Sequence, residues 1–166
     1  MLGDHIASDS YLVHAGKLQA RFEAVFWDEE KGHLYDVAGD SDFDGSLRPN
    51  QIFAVSLHYA LLKGERARRV VDVVERELLT PYGLRTLSAN DGRYRGHYEG
   101  DVWSRDGTYH QGTVWPWLAG HFFFAKLSVT GSIEELLPEI DQWLDRFTEH
   151  LREAGLGQVS EIFDGD

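Results

Sequence analysis

Gly112–Val129, GTVWPWLAGHFFFAKLSV, is apolar nearly all round, and a helix of that kind has to be wrapped by protein on every side. Glu65–Leu79, ERARRVVDVVERELL, is the opposite type. Val70, Val71, Val74, Leu78 and Leu79 recur at helical spacing on one face, while Arg66, Arg68, Arg69, Asp72, Glu75 and Arg76 make a solvated one. Ser132–Ala154 is again half charged, apolar at Ile133, Leu136, Leu137, Ile140, Trp143, Leu144, Phe147 and Leu151, with Pro138 in its first turns. An apolar helix starts at about Asn50, where Pro49 loses nothing by lacking an N–H; it carries Ile52, Phe53, Val55, Leu57, Leu61 and Leu62 and ends at Gly64. Apolar and half-charged helices thus alternate. That is the order an α/α barrel requires, with inner helices wrapped and outer ones facing water. With Ser10–Trp27, apolar at Leu12, Ala15, Leu18, Phe22, Val25 and Phe26, the expectation is all-α with about five helices.

Between the helices lie long Gly- and Asp-rich loops. Leu34, Tyr35 and Val37 in GHLYDVAGD read as an extended hairpin arm, and Leu84–Leu87 as a brief extended piece. Residues 88–111 form a polar loop without periodicity, a length that is usually functional or disordered. Tyr94, Tyr98, Trp103, Tyr109, Trp115 and Trp117 in or just beyond it argue for order. The tail GLGQVSEIFDGD is a loop again, and no repeat of fixed period runs through the chain.

Composition removes several classes of function. The 166 residues carry 16 Lys and Arg against 28 Asp and Glu, a net charge of −12, which disfavours phosphate backbones and nucleic acid as partners. Hydrophobic residues at 42% and charged ones at 27% fit one soluble domain over residues 1–166. There is no Cys, hence no disulfide framework, thiol nucleophile or cysteine-ligated zinc. Neither a GxSxG elbow nor a phosphate-binding glycine loop occurs. The histidines are scattered without HExxH or paired helical spacing, so no metal site is expected. The opening MLGDHIASDS has no secretory pattern, and Trp115–Leu127 is broken by Gly120, His121 and Lys126, so the expected location is cytoplasmic, with no membrane partner.

What remains is carboxylates, aromatics and planar polar groups in loops. SDFDGSLRPNQ puts Asp42, Asp44, Arg48, Asn50 and Gln51 at the mouth of one apolar helix. GDVWSRDGTYHQGTVWPW puts Trp103, Arg105, Asp106, Tyr109, His110, Gln111 and Trp115 at the mouth of the next, and the tail adds Gln158, Glu161, Asp164 and Asp166. Sugars present apolar faces ringed by hydroxyls and need stacking aromatics beside hydrogen-bonding side chains, which makes carbohydrate the natural ligand class. The plainer reading has Trp115 and Trp117 in the core and Arg48–Asp44 as a pair that steadies a loop. Both readings fit the composition.

LRPNQIFAVSL, VVDVVERELLTPYGLRTLS, YRGHYEGDVWSRDGTYHQGTVWPWLAG and EAGLGQVSEIFDGD together resemble the C-terminal amylo-α-1,6-glucosidase region of bacterial and archaeal glycogen debranching enzymes, from about Phe22 to Asp166. The resemblance implies an (α/α)6 toroid of the six-hairpin glycosidase type, here incomplete. It also implies hydrolysis of the α-1,6-linked glucose at a glycogen branch point with inversion, on glycogen, malto-oligosaccharide or limit dextrin. The family's general base lies in the motif matched by SEIFDG, which makes Glu161 the catalytic candidate. Arg48, Asn50 and Gln51 would fix hydroxyls, and Trp103 and Trp115 would stack on or wall the ring. Asp44, Arg105, Asp106, Tyr109, His110 and Gln111 would complete the sugar site, with no metal or organic cofactor. The family's general acid sits in a Trp-Met-Asp type motif that nothing in Met1–Asp28 resembles, and the family places a further inner helix after the tail.

The chain is therefore expected to be truncated at both ends and silent alone. Faces around Phe53, Trp115 and Phe122 are expected to drive self-association or docking to the rest of the barrel. The alternatives are a non-catalytic glycan- or partner-binding module, or another α/α-barrel glycosidase of trehalase-like or glucoamylase-like type.

Overall fold

Gly64 opens the most regular helix, with φ +59 and Lys63 extended at its N-cap. The computed structural model describes residues 5–153 and 157–166. Among these, α-helices are α1 (His5–Phe26), α2 (Phe53–Ser56), α3 (Gly64–Leu78), α4 (Val102–Thr108), α5 (Leu118–Thr130) and α6 (Ile133–His150). Short antiparallel ladders join β1 (Trp27–Asp28) to β2 (His33–Leu34) and β3 (Val37–Ala38) to β4 (Phe43–Asp44). A third sheet orders β5 (Leu79–Thr80), β6 (Gly83–Arg85) and β7 (Val114–Trp115) side by side. The chain is mostly helical, with small sheets at the helix ends.

The core forms where α3 and α5 meet. Ala67, Val70, Val71, Val73, Val74 and Leu78 of α3 are buried, and Leu118, Ala119, Phe122, Phe123 and Ala125 of α5 pack on the same cluster. The charged face of α3 is outside, as its period predicts. α5, by contrast, is covered on one side only: Phe124 is 65% exposed and Trp117, at its N-cap, 57%. The all-round burial expected of this segment is not met within the described residues. Phe122 is wholly buried, so it cannot belong to an exposed sticky face.

Two predicted helices shrink, each for a local reason. The segment from Pro49 is a 3₁₀ turn (Pro49–Ile52) running into α2, after which Leu57 is extended and the amides of Leu61 and Leu62 both return to the Ala54 carbonyl. Leu57 and Tyr59 stay 52% and 86% exposed, so burial does nothing to hold a longer helix there. Gly64 accordingly starts α3 instead of ending its predecessor. The segment from Gly112 runs first as strand β7 because Pro116 disfavours the helical region for Trp115, and α5 begins two residues after the proline.

Within the predicted polar loop lies α4, started by Asp101, whose Oδ1 accepts from the Ser104 amide at 2.8 Å. α6 is capped in the same way by Ser132, which accepts from the Glu135 amide at 3.2 Å. Ala154, the predicted end of this helix, lies outside the described residues. The apolar stripe of α6 is only partly covered, for Leu136 and Phe147 are buried while Leu137 and Leu144 are 45% and 50% exposed. α1 is less covered still, with Tyr11, Leu12, Val13 and Leu18 all exposed and only its last turns, through Phe22 and Phe26, packed on the core.

Candidate functional site

Arg48 is the centre of the site. It precedes the 3₁₀ turn in extended conformation, which sends its side chain across the molecule toward residues 86 and 110–111. Nη1 donates to the carbonyls of Thr86 (3.0 Å) and His110 (2.7 Å), and Nη2 donates to Gln111 Oε1 (2.9 Å). Nε lies 3.5 Å from Asp36 Oδ2, with both side chains largely buried. One guanidinium thus ties together three segments far apart in sequence, using the planar fork that suits arginine to such work. The loop pair is Arg48–Asp36, not the Arg48–Asp44 pair expected.

Asp44 instead accepts from the Ser46 amide (2.9 Å) and the Ser46 hydroxyl, and stands 3.6 Å from Arg93. The Ser46 hydroxyl and the Arg93 guanidinium hold its carboxyl below the usual range. Arg93 also donates to both oxygens of Asp91, whose carboxyl is lowered to about 2.

Around Arg48 opens a cavity of about 410 Å³. Asp36, Asp44, Asn50 and Gln111 supply its polar walls, and His110, Trp115 and Trp117 its aromatic ones. Asn50 Nδ2 donates to Asp36 Oδ1 (3.4 Å). Trp115 is ordered from several sides. His110 stacks on it (5.3 Å, 11°), Tyr109 meets it edge-on (4.9 Å, 70°), and its Nε1 donates to the Tyr109 carbonyl (3.2 Å). A larger cavity of about 780 Å³ shares the Asp36–Arg48–Asn50 wall, but beyond it is lined mainly by the aliphatic and aromatic side chains of α1 and of residues 57–61. Hydroxyl-rich ligands need partners along their whole rim, and of the two it is the smaller cavity whose lining is rich in polar groups.

The tail closes on this site through a single antiparallel bridge. Phe163 and Val114 exchange backbone hydrogen bonds (3.0 and 2.8 Å), and the Phe163 ring stacks on Tyr82 (4.3 Å, 5°). The Gly165 amide donates to the Gly96 carbonyl (2.7 Å), and Arg85 Nε donates to the Gly165 carbonyl (2.7 Å). Gly165 permits this closeness, for a Cβ there would collide with the Tyr94 hydroxyl and the Gly112 carbonyl oxygen. So placed, Glu161 accepts a hydrogen bond from the Tyr109 hydroxyl (3.0 Å). That bond to the carboxylate raises the pKa of the Tyr109 phenol. Glu161 is exposed and does not itself line the cavity; Tyr109 stands between it and Trp115.

Of the residues singled out by sequence, the fold brings Asp44, Arg48, Asn50, His110, Gln111 and Trp115 to one cavity, with Tyr109 and Glu161 alongside. Gln51 is buried and faces inward, donating to the Arg48 carbonyl (3.1 Å) while its Oε1 accepts from the Leu34 amide (3.4 Å). Trp103, 84% exposed, lies on α4 with Arg105 and Asp106, away from the cavity lining. Sequence reasoning missed Asp36 and Trp117. Asp36 looked like any residue of a hairpin arm, and Trp117 like core; only their tertiary neighbours distinguish them. Among the described residues no group of three or more His, Asp or Glu is placed to hold a metal ion, and no helix is long and apolar enough to cross a membrane.

Residues 3–166 match the family model described as amylo-alpha-1,6-glucosidase. The chain belongs to this family. It is also 34% identical over 88 residues to the glycogen debranching enzyme of Saccharomyces cerevisiae, a match covering 49% of the chain and 6% of that enzyme's length. Family membership extends over the Arg48 cavity and the tail that carries Glu161, so the whole arrangement lies in the amylo-alpha-1,6-glucosidase portion.

Proposed function

We propose that this chain carries the base-bearing part of a glycoside hydrolase site that cleaves α-1,6-linked glucose at glycogen branch points with inversion, within an incomplete α/α toroid. The observation that carries the reading is the Tyr109–Glu161 hydrogen bond, which ties the acidic tail residue to the aromatic wall of the Arg48 cavity. An inverting pair needs a carboxylate that takes a proton from water and a carboxylic acid that protonates the leaving oxygen, about 6.5–9.5 Å apart. Glu161 is the base in this scheme. The phenol occupies its Oε2, leaving Oε1 to orient and deprotonate the attacking water. Asn50 and Gln111 present amides to sugar hydroxyls, and Trp115 offers its indole to the apolar ring face. Arg48, committed to four protein acceptors, shapes the cavity more than it contacts sugar.

The chain alone would bind malto-oligosaccharide or limit dextrin without turnover, because a base without its acid partner leaves the glycosidic oxygen unprotonated. A cytoplasmic location goes with this substrate. Self-association accompanies the reading, since the apolar side chains Tyr11, Leu12, Val13 and Leu18 on α1 stand open. A calorimetric titration with a phosphorylase limit dextrin, alongside an assay for released glucose, tests the proposal. Binding without glucose release is the expected result. Release that Glu161→Gln abolishes would show a complete enzyme, and absence of binding would remove the sugar reading.

A further inference from the structure

An indole left 57% exposed at the mouth of a helix gives up much of the stabilisation its burial offers, so Trp117 needs a reason to stand where it does. It is not loose. Phe53 of α2 stacks behind it (5.9 Å, 24°), and His121 of α5 meets it edge-on (6.0 Å, 90°). His121 is itself set against the Phe53 ring (4.6 Å) and shares a hydrogen bond with the Ser56 hydroxyl (3.1 Å). Two helices therefore brace one indole, and that indole lines the cavity together with Asp36, Arg48 and Asn50.

Trp115, the other indole of the cavity, has His110 stacked on it and Tyr109 at its edge, on the side that leads to Glu161. The two rings thus differ in what they offer. One belongs to the reacting side, and the other presents open, pre-set apolar area with a polar rim. Asn50 uses its Nδ2 on Asp36, so its amide oxygen is left to accept from a hydroxyl lying at the edge of that area. A cavity of about 410 Å³ is within the range of small-molecule sites, about 300–1,000 Å³.

From this geometry we propose that Trp117 is the stacking platform for a second glucosyl residue, adjoining the one held beside Trp115, and that it selects a linked pair of glucose units over a single one. The inference rests on the sugar reading above. Rigid bracing matters because a platform already held in its binding orientation loses little conformational entropy when a ring settles on it.

Calorimetry on the whole chain with glucose and with isomaltose tests it. The wild-type protein should bind isomaltose about tenfold more tightly than glucose. Trp117→Ala should bring isomaltose down to the level of glucose and leave glucose unchanged, while Trp117→Phe, which keeps a stacking face, should retain most of the preference. Phe124→Ala removes another exposed aromatic from α5 and should change neither affinity. Should Trp117→Ala fail to fold, 19F spectra of the 5-fluorotryptophan-labelled chain, with the Trp117 signal assigned from Trp117→Phe, give a second reading: that signal should shift with isomaltose and not with glucose. A preference that survives in Trp117→Ala, an equal loss of both sugars, or a Trp117 signal blind to isomaltose overturns the platform while the sugar site stands. A wild-type chain that binds neither sugar removes the sugar reading and the platform with it.

Discussion

Arg48 shows how one side chain sets the shape of a cavity. Its guanidinium spans Asp36, Thr86, His110 and Gln111, and no smaller donor set covers all four. Arg48→Ala would leave two carbonyls, an amide oxygen and a carboxylate without this partner in a largely buried place. The expected loss is on the order of 3 kcal/mol, read as a lower denaturant midpoint with unchanged slope. Arg48→Lys should recover little of it, because an ammonium has neither the reach nor the planar fork. Full stability in Arg48→Lys would show that the charge alone is what matters there.

At the scale of elements, the tail is held at Phe163 by one β-bridge and beyond it, at Asp164 and Asp166, by a pH-sensitive clip. His97 Nδ1 lies 3.2 Å from Asp164 Oδ2 and its Nε2 3.6 Å from Asp166 Oδ2, with Glu99 nearby, while Asp164 Oδ1 accepts from the Tyr98 amide (2.9 Å). The Asp164 hydrogen bond raises the His97 pKa above its ordinary 6.5, and the Tyr98 amide, chiefly, lowers that of Asp164. A raised histidine stabilises the folded form fully below 6.5 and ceases to do so as pH climbs through its folded value. A lowered carboxyl stabilises above its ordinary 3.8 and ceases to do so as pH falls through its own. Tail docking is therefore strongest between those limits. Protection of the Gly165 amide, corrected for intrinsic exchange, should decline on the alkaline side, and His97→Gln should remove that decline. Protection that stays flat from pH 6 to 9 in the wild-type chain would exclude the clip.

For the whole molecule, uncovered apolar surface competes with charge. Tyr11, Leu12, Val13 and Leu18 on α1 are each more than half exposed, and Tyr59, 86% exposed, lines the larger cavity with Leu12 and Leu18. Such surface favours association, whereas the net charge of −12 opposes it. Sedimentation velocity should show a mass that grows with protein concentration and grows further with salt, as screening weakens the repulsion. Leu18→Lys should shift the equilibrium toward monomer. A chain that sediments as a monomer at every concentration and salt tested would mean that α1 is not adhesive.

Periodic burial is local information: the two faces of α3 and the polar turns around Arg48 and Tyr109 are legible from spacing and chemistry, whereas α4 and its Asp101 cap, inside a segment that reads as a loop, are not. Short helices and strands were less legible, because α2 and β7 end where exposure and Pro116 outweigh an apolar run. Only the tertiary structure could pair Arg48 with Asp36, back Trp117 with Phe53, or bring Glu161 to Tyr109 across more than fifty residues of chain. Those contacts depend on where separate segments come to rest, and no window of neighbouring residues contains that.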